Sequence, residues 1–127
     1  MVIQSNGLPP HNSYYYGEGA TNYVEWDESR GSEYRANPQK ISALDLSIRI
    51  PLEPISNALN IDATLVDREI GTSEYEYKGK SPGVALDGVS IFIGLAAPGD
   101  DIEDEKYTFD EYNAHPEISG NYHYHTD

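Results

Sequence analysis

Between residues 43 and 50, Leu44, Leu46, Ile48 and Ile50 alternate with polar residues. That is the two-residue period of a strand with one face on a core and the other in water. Pro51 and Pro54 follow, and neither can donate the amide proton a sheet ladder needs, so the strand is expected to stop there. A second β signal runs through residues 83–93, where two apolar stretches are joined by Asp87-Gly88. Asp-Gly supplies the positive φ angles of a tight turn, which predicts a β-hairpin. Val2-Ile3 and Tyr23-Val24-Glu25-Trp26 hint at short strands, and the apolar stretch of residues 61–66 fits a strand or a helix equally well. No amphipathic pattern exceeds about two helical turns. These signals predict a mainly β fold: one small sheet or sandwich-like domain spanning residues 1–127, with long loops and little helix.

Residues 1–38 are loop-rich, punctuated by Gly7, Pro9, Pro10, Gly17, Gly19 and Gly31. Within them Tyr14-Tyr15-Tyr16 reads as aromatic cover for the edge of a thin core, hydroxyls in water, with an aromatic binding ledge as the alternative. The mean hydropathy of −0.62 is low. Eleven Tyr, one Trp and two Phe nevertheless give the chain bulky surfaces to bury. The acidic run Asp100, Asp101, Glu103, Asp104, Glu105 lacks the spacing of an EF-hand loop and reads as a solvated loop rather than a calcium site.

With 22 acidic against 8 basic side chains, the net charge of −14 repels nucleic-acid phosphates and anionic lipid heads. No nucleic-acid partner is expected; cations and cationic partners fit, as does a salty habitat. No apolar run is long enough for membrane insertion, and Met1 to Pro10 have neither the basic nor the apolar region of a signal peptide. The chain has no cysteine, which removes disulfides, thiolate ligands and thiol nucleophiles. Nucleophile-elbow, phosphate-loop and zinc-protease motifs are also missing from the sequence.

The chemistry-bearing residues that remain are four histidines: His11, His115, His123 and His125. If residues 121–125 are extended, His123 and His125 share one face about 6.6 Å apart while Tyr122 and Tyr124 point the other way. Neutral imidazole suits Zn, Cu, Ni and Fe, and the pair would be completed by His115, His11 or a carboxylate such as Asp110. His-x-His also occurs in ordinary strands, where the rings bond to carbonyls or lie at the surface.

Three blocks of the chain resemble the YHYH family. Asn6-Gly7-Leu8-Pro9-Pro10-His11 resembles its N-terminal block, residues 83–89 its central one, and Asn113-Ala114-His115 with Gly120-Asn121-Tyr122-His123-Tyr124-His125 its closing signature. The resemblance implies that all four histidines occupy motif positions, with Asn6, Asn113, Tyr122 and Tyr124 as further site candidates. It also implies export from a bacterium to an extracellular or periplasmic setting, and a segment continuing beyond Asp127. Asp87 stands where the family commonly has Asn. The leading functional expectation is a metal-binding module for Cu or Zn. The alternatives are a histidine- or metal-dependent hydrolase or lyase, and a non-catalytic module whose tyrosine-rich surface binds a glycan or a protein.

Overall fold

The computed structural model describes residues 1–55, 81–92 and 101–125 of the chain. The fold is mainly β, with two sheets and little helix, as the alternation and turn chemistry predict. β1 (Val2–Ser5) pairs antiparallel with β2 (Leu46–Arg49), Ile3 facing Ile48 and Ser5 facing Leu46. Those four side chains form the half-buried face, while Val2, Gln4, Ser47 and Arg49 face water. The predicted strand is thus present but shorter than its alternating pattern, because the ladder ends where its partner does. Tyr23-Val24-Glu25-Trp26 is not a strand; it makes only an isolated bridge from Tyr23 to Ser13. Residues 61–66 lie outside the described residues.

The second sheet has four strands in the order β3 (Gly83–Val84), β4 (Ser90–Phe92), β6 (Tyr122–His125), β5 (Ala114–Pro116). β3 and β4 form the expected hairpin. Its turn differs from a two-residue Asp-Gly turn, because Gly88 alone of the pair has positive φ, at 88°. The Gly88 amide donates to the Ala85 carbonyl at 2.9 Å and the Asp87 carboxylate accepts from the Val89 amide at 3.0 Å. This is a longer loop in which glycine takes the left-handed position alone. A side chain at Gly88 would also strike Ser5, its Cβ falling 2.5 Å from the Ser5 Oγ, so glycine lets the hairpin tip meet the end of β1.

β6 is central, running parallel to β4 and antiparallel to β5. Its side chains alternate between two environments. Tyr122 turns to the core, a small cluster of Tyr14, Tyr15, Val89, Ala114 and Tyr122 with Trp26, Ile41 and Tyr124 packed around it. Tyr14, Tyr15 and Tyr16 are buried, which corrects the expectation of edge tyrosines with wet hydroxyls. Their hydroxyls donate to backbone carbonyls instead: Tyr14 to Phe109 at 3.3 Å, Tyr15 to Thr108, and Tyr16 to Pro9 at 2.7 Å. Each buried phenol therefore has the partner its burial requires. The acidic run is exposed at Asp101, Glu103 and Asp104, as a solvated segment is, but it is helical rather than a loop from Ile102 to Glu105, and Asp100 lies outside the described residues. Asp101 caps a single helical turn, α1 (Ile102–Glu105), by accepting from the Glu103 amide at 2.9 Å, and a 3-10 turn at Lys106–Thr108 continues from it.

Candidate metal centre

The period of β6 places His123 and His125 on the face opposite Tyr122 and Tyr124, and the register with β5 sets His115 directly across from His123. The three imidazoles converge, with one nitrogen from each lying within 4.8 Å of the others. All three are buried, at 4 % exposure for His115, 2 % for His123 and 8 % for His125, so their mutual approach is not a surface coincidence. The His115 and His125 Nε2 atoms are 3.3 Å apart. Zn–N bonds of about 2.0–2.1 Å give a tetrahedral edge of about 3.3 Å. The cluster can coordinate a divalent metal ion.

Partners on the far side of each ring fix which nitrogen is available. His123 Nδ1 lies 3.0 Å from the Asn121 carbonyl, which can only accept, so Nδ1 carries the proton and Nε2 keeps its lone pair. For His115 the partner is Thr108, whose Oγ is 2.6 Å from Nδ1. That hydroxyl donates its one proton to the Glu105 carbonyl at 2.7 Å, so toward His115 it accepts. Nδ1 of His115 is therefore the N–H, and Nε2 faces the cluster as a lone pair. The Asn37 amide nitrogen, 3.4 Å from the same Nδ1, is directed to the Pro116 carbonyl at 3.0 Å. Such outer partners hold ligating imidazoles in the tautomer and orientation that metal binding needs.

Aromatic rings wall the cluster. Phe92 stacks on His123 with centroids 3.7 Å apart, and Phe109 stacks on His125 at 4.4 Å while meeting His115 edge-on at 5.0 Å. Removal from water disfavours the imidazolium form. Burial, reinforced by the neighbouring His123 and His125, pushes His115 down to about 3. Burial pushes His123 down to about 4, with the Asn121 carbonyl opposing part of the shift. Near neutral pH both rings are in the form that binds a metal.

The other candidates go elsewhere. His11 does not join the triad; it lies on the tyrosine face of β6, stacked on Tyr112 at 3.5 Å with its Nε2 3.2 Å from the Tyr124 hydroxyl. Asp110 is also on that side, accepting from Ser13 Oγ at 2.8 Å, from the Tyr122 hydroxyl at 2.6 Å and from the Tyr112 amide at 3.0 Å. Burial and the Asp110 carboxylate together hold the Tyr122 phenol well above its usual range. Tyr124 donates to Asp87 at 2.7 Å. Asn6 and Asn113 serve turns. The Asn6 carboxamide accepts from the Leu8 amide at 3.1 Å, and Asn113 takes a left-handed φ of 54° just before β5.

Glu105, expected in a solvated loop, is half-buried beside the triad, its Oε1 3.4 Å from His115 Nε2. Its only sequence signal is a place at the end of the turn that Asp101 caps, which one acidic residue among several does not advertise.

The three sequence blocks meet at one side chain, for the Tyr124 hydroxyl contacts His11 and Asp87 together. Among the described residues, no helix is long and apolar enough to cross a membrane. Compared with known proteins, the chain matches no family model, no curated protein and no solved structure.

Proposed function

We propose that this chain is a metal-binding module of the YHYH type, taking up one Zn(II) or Cu(II) ion through His115, His123 and His125. The observation that carries the reading is the convergence of three buried imidazoles, two of them fixed by Asn121 and Thr108 with Nε2 left as the lone pair. Three such ligands are the set a transition-metal site requires at minimum. The acidic surround lowers the cost of bringing a dication to the protein. The family assignment and an extracellular or periplasmic setting belong to the same proposal and are supported by the three motif blocks.

Tyr14, Tyr15 and Tyr16 are in the core and do not offer a ledge to a glycan or protein. No observation among the described residues selects a substrate for the hydrolase or lyase alternative.

The test is a calorimetric titration of chelator-stripped protein with Zn(II) and Cu(II), alongside elemental analysis of the protein as isolated. One equivalent is expected to bind, and the double substitution His123→Ala/His125→Ala is expected to abolish uptake. A folded protein that ignores both ions, or a double variant that binds as the parent does, ends the proposal.

A further inference from the structure

We propose that Glu105 is the fourth ligand of the triad, closing a His3Glu coordination sphere around a structural zinc ion that ties α1 to β5 and β6. This rests on the metal-binding reading above and adds to it the role of the ion.

Within the acidic run Glu105 behaves differently from its neighbours. The Glu103 side chain is 74 % exposed, whereas that of Glu105 is 21 % exposed and turned toward His115. The local fold explains the difference. Asp101 starts the helical turn, and the Glu105 amide closes it on the Asp101 carbonyl at 2.8 Å. Thr108 then fastens the end, its hydroxyl donating to the Glu105 carbonyl at 2.7 Å while accepting from His115 Nδ1 at 2.6 Å. A single hydroxyl thus ties the backbone of Glu105 to the imidazole of His115.

Two of the atoms that meet, His115 Nε2 and Glu105 Oε1, are acceptors. His115 Nε2 carries a lone pair, because its proton is on Nδ1, and it faces Glu105 Oε1 at 3.4 Å and His125 Nε2 at 3.3 Å. Both separations match the tetrahedral edge of about 3.3 Å that zinc bonds to nitrogen and oxygen dictate. A proton can bridge one of these pairs at a time, whereas a dication beside His115 Nε2 would reach both of its neighbours. Three neutral imidazoles and one carboxylate leave a net charge of +1 on the centre, half the bare charge of the ion.

A sphere of four protein ligands leaves no position for water or substrate, which is the arrangement of structural rather than catalytic zinc. Phe92 and Phe109, stacked on His123 and His125, cover the site further. A structural ion also suits the fold, because the buried apolar cluster among the described residues is small and a bound metal adds its binding free energy to folding.

The deciding experiment titrates chelator-stripped wild-type, E105Q and E105D proteins with Zn(II) and with Co(II) as a visible-spectrum reporter, with and without azide. Wild-type protein is expected to give an intense four-coordinate Co(II) spectrum that azide leaves unchanged. E105Q should bind at least about tenfold more weakly through its three imidazoles and admit azide, and E105D should recover part of the loss. Wild-type affinity and spectrum in E105Q, or azide binding to the wild-type centre, overturns the fourth-ligand proposal while leaving the triad standing. If E105Q folds poorly, the azide result on wild-type protein decides alone. Failure of wild-type protein to take up either metal removes both proposals.

Discussion

Acid should destabilise the metal-free protein well above the range in which carboxylates titrate. His115 and His123 titrate near 3 and 4 in the folded chain, against 6.5 when unfolded. Between those limits the unfolded state binds two protons that the folded state refuses, so stability falls as pH falls. Above the unfolded value neither state is protonated and there is no loss. Each histidine contributes a slope of up to about 1.4 kcal/mol per pH unit, so the pair removes about 4 kcal/mol between pH 7 and pH 5. A domain of this size has a total of roughly 5–15 kcal/mol, and with so small a core the lower end is expected, which brings unfolding near pH 5 within reach. Trp26 packs against the core and is the chain's one tryptophan, so its fluorescence reports unfolding directly. Urea titrations of chelator-treated protein at pH 7, 6 and 5 measure the slope. A free energy of unfolding that is flat over this range, or that rises toward pH 5, refutes the assignment of buried neutral imidazoles. His123→Gln should reduce the slope by about half, because it removes one of the two titrating groups.

Three further outcomes follow from other contacts. His11→Ala should leave metal stoichiometry and affinity unchanged by calorimetry, because His11 stacks on Tyr112 across the sheet from the triad, while costing about 1 kcal/mol in urea titration. Gly120→Ala should destabilise by about 3 kcal/mol, since Gly120 has φ +84° and a Cβ there lies 2.6 Å from the Ser42 Cβ. An unchanged urea midpoint would show that the segment around Ser42 moves aside. Asp110→Ala leaves the buried hydroxyls of Ser13 and Tyr122 without their acceptor and should cost about 3 kcal/mol, whereas Asp110→Asn, which keeps an oxygen, should cost less than half of that.

Features set by local periodicity were legible in the sequence, and those set by contacts between distant residues were not. The half-buried face of β2 follows from alternation alone, and so does the shared face of His123 and His125 on β6. His115 joins them through an antiparallel register that a short connection makes natural but spacing does not dictate. The burial of Tyr14 and Tyr15 depends on the carbonyls of Phe109 and Thr108, more than ninety residues along the chain, so their local glycine-rich setting misled. The hairpin position was legible because Asp-Gly is a turn signal, yet only Gly88 of the pair takes the left-handed position, and Ser5 lies where a side chain at Gly88 would go. Composition counted Glu105 among the solvated acids, and only the packing of α1 against His115 singles it out.

The two faces of β6 divide the work of the strand. Tyr122 and Tyr124 bond to Asp110 and Asp87 on one side, while His123 and His125 meet His115 on the other. A one-residue slip in register would exchange the faces, placing imidazoles in the core and phenols in the metal centre. The Tyr122–Asp110 bond and the Tyr124 contacts therefore protect the ligand geometry from a distance, although neither tyrosine touches the triad's ligating nitrogens. The converse holds through the same backbone. An ion held by His115, His123 and His125 would join β5 to β6, and Ala114 and Tyr122 on those strands belong to the core cluster. The geometry of the histidine triad and the packing of the core thus depend on one register, and their coupling follows from the alternation of tyrosine and histidine along a single strand.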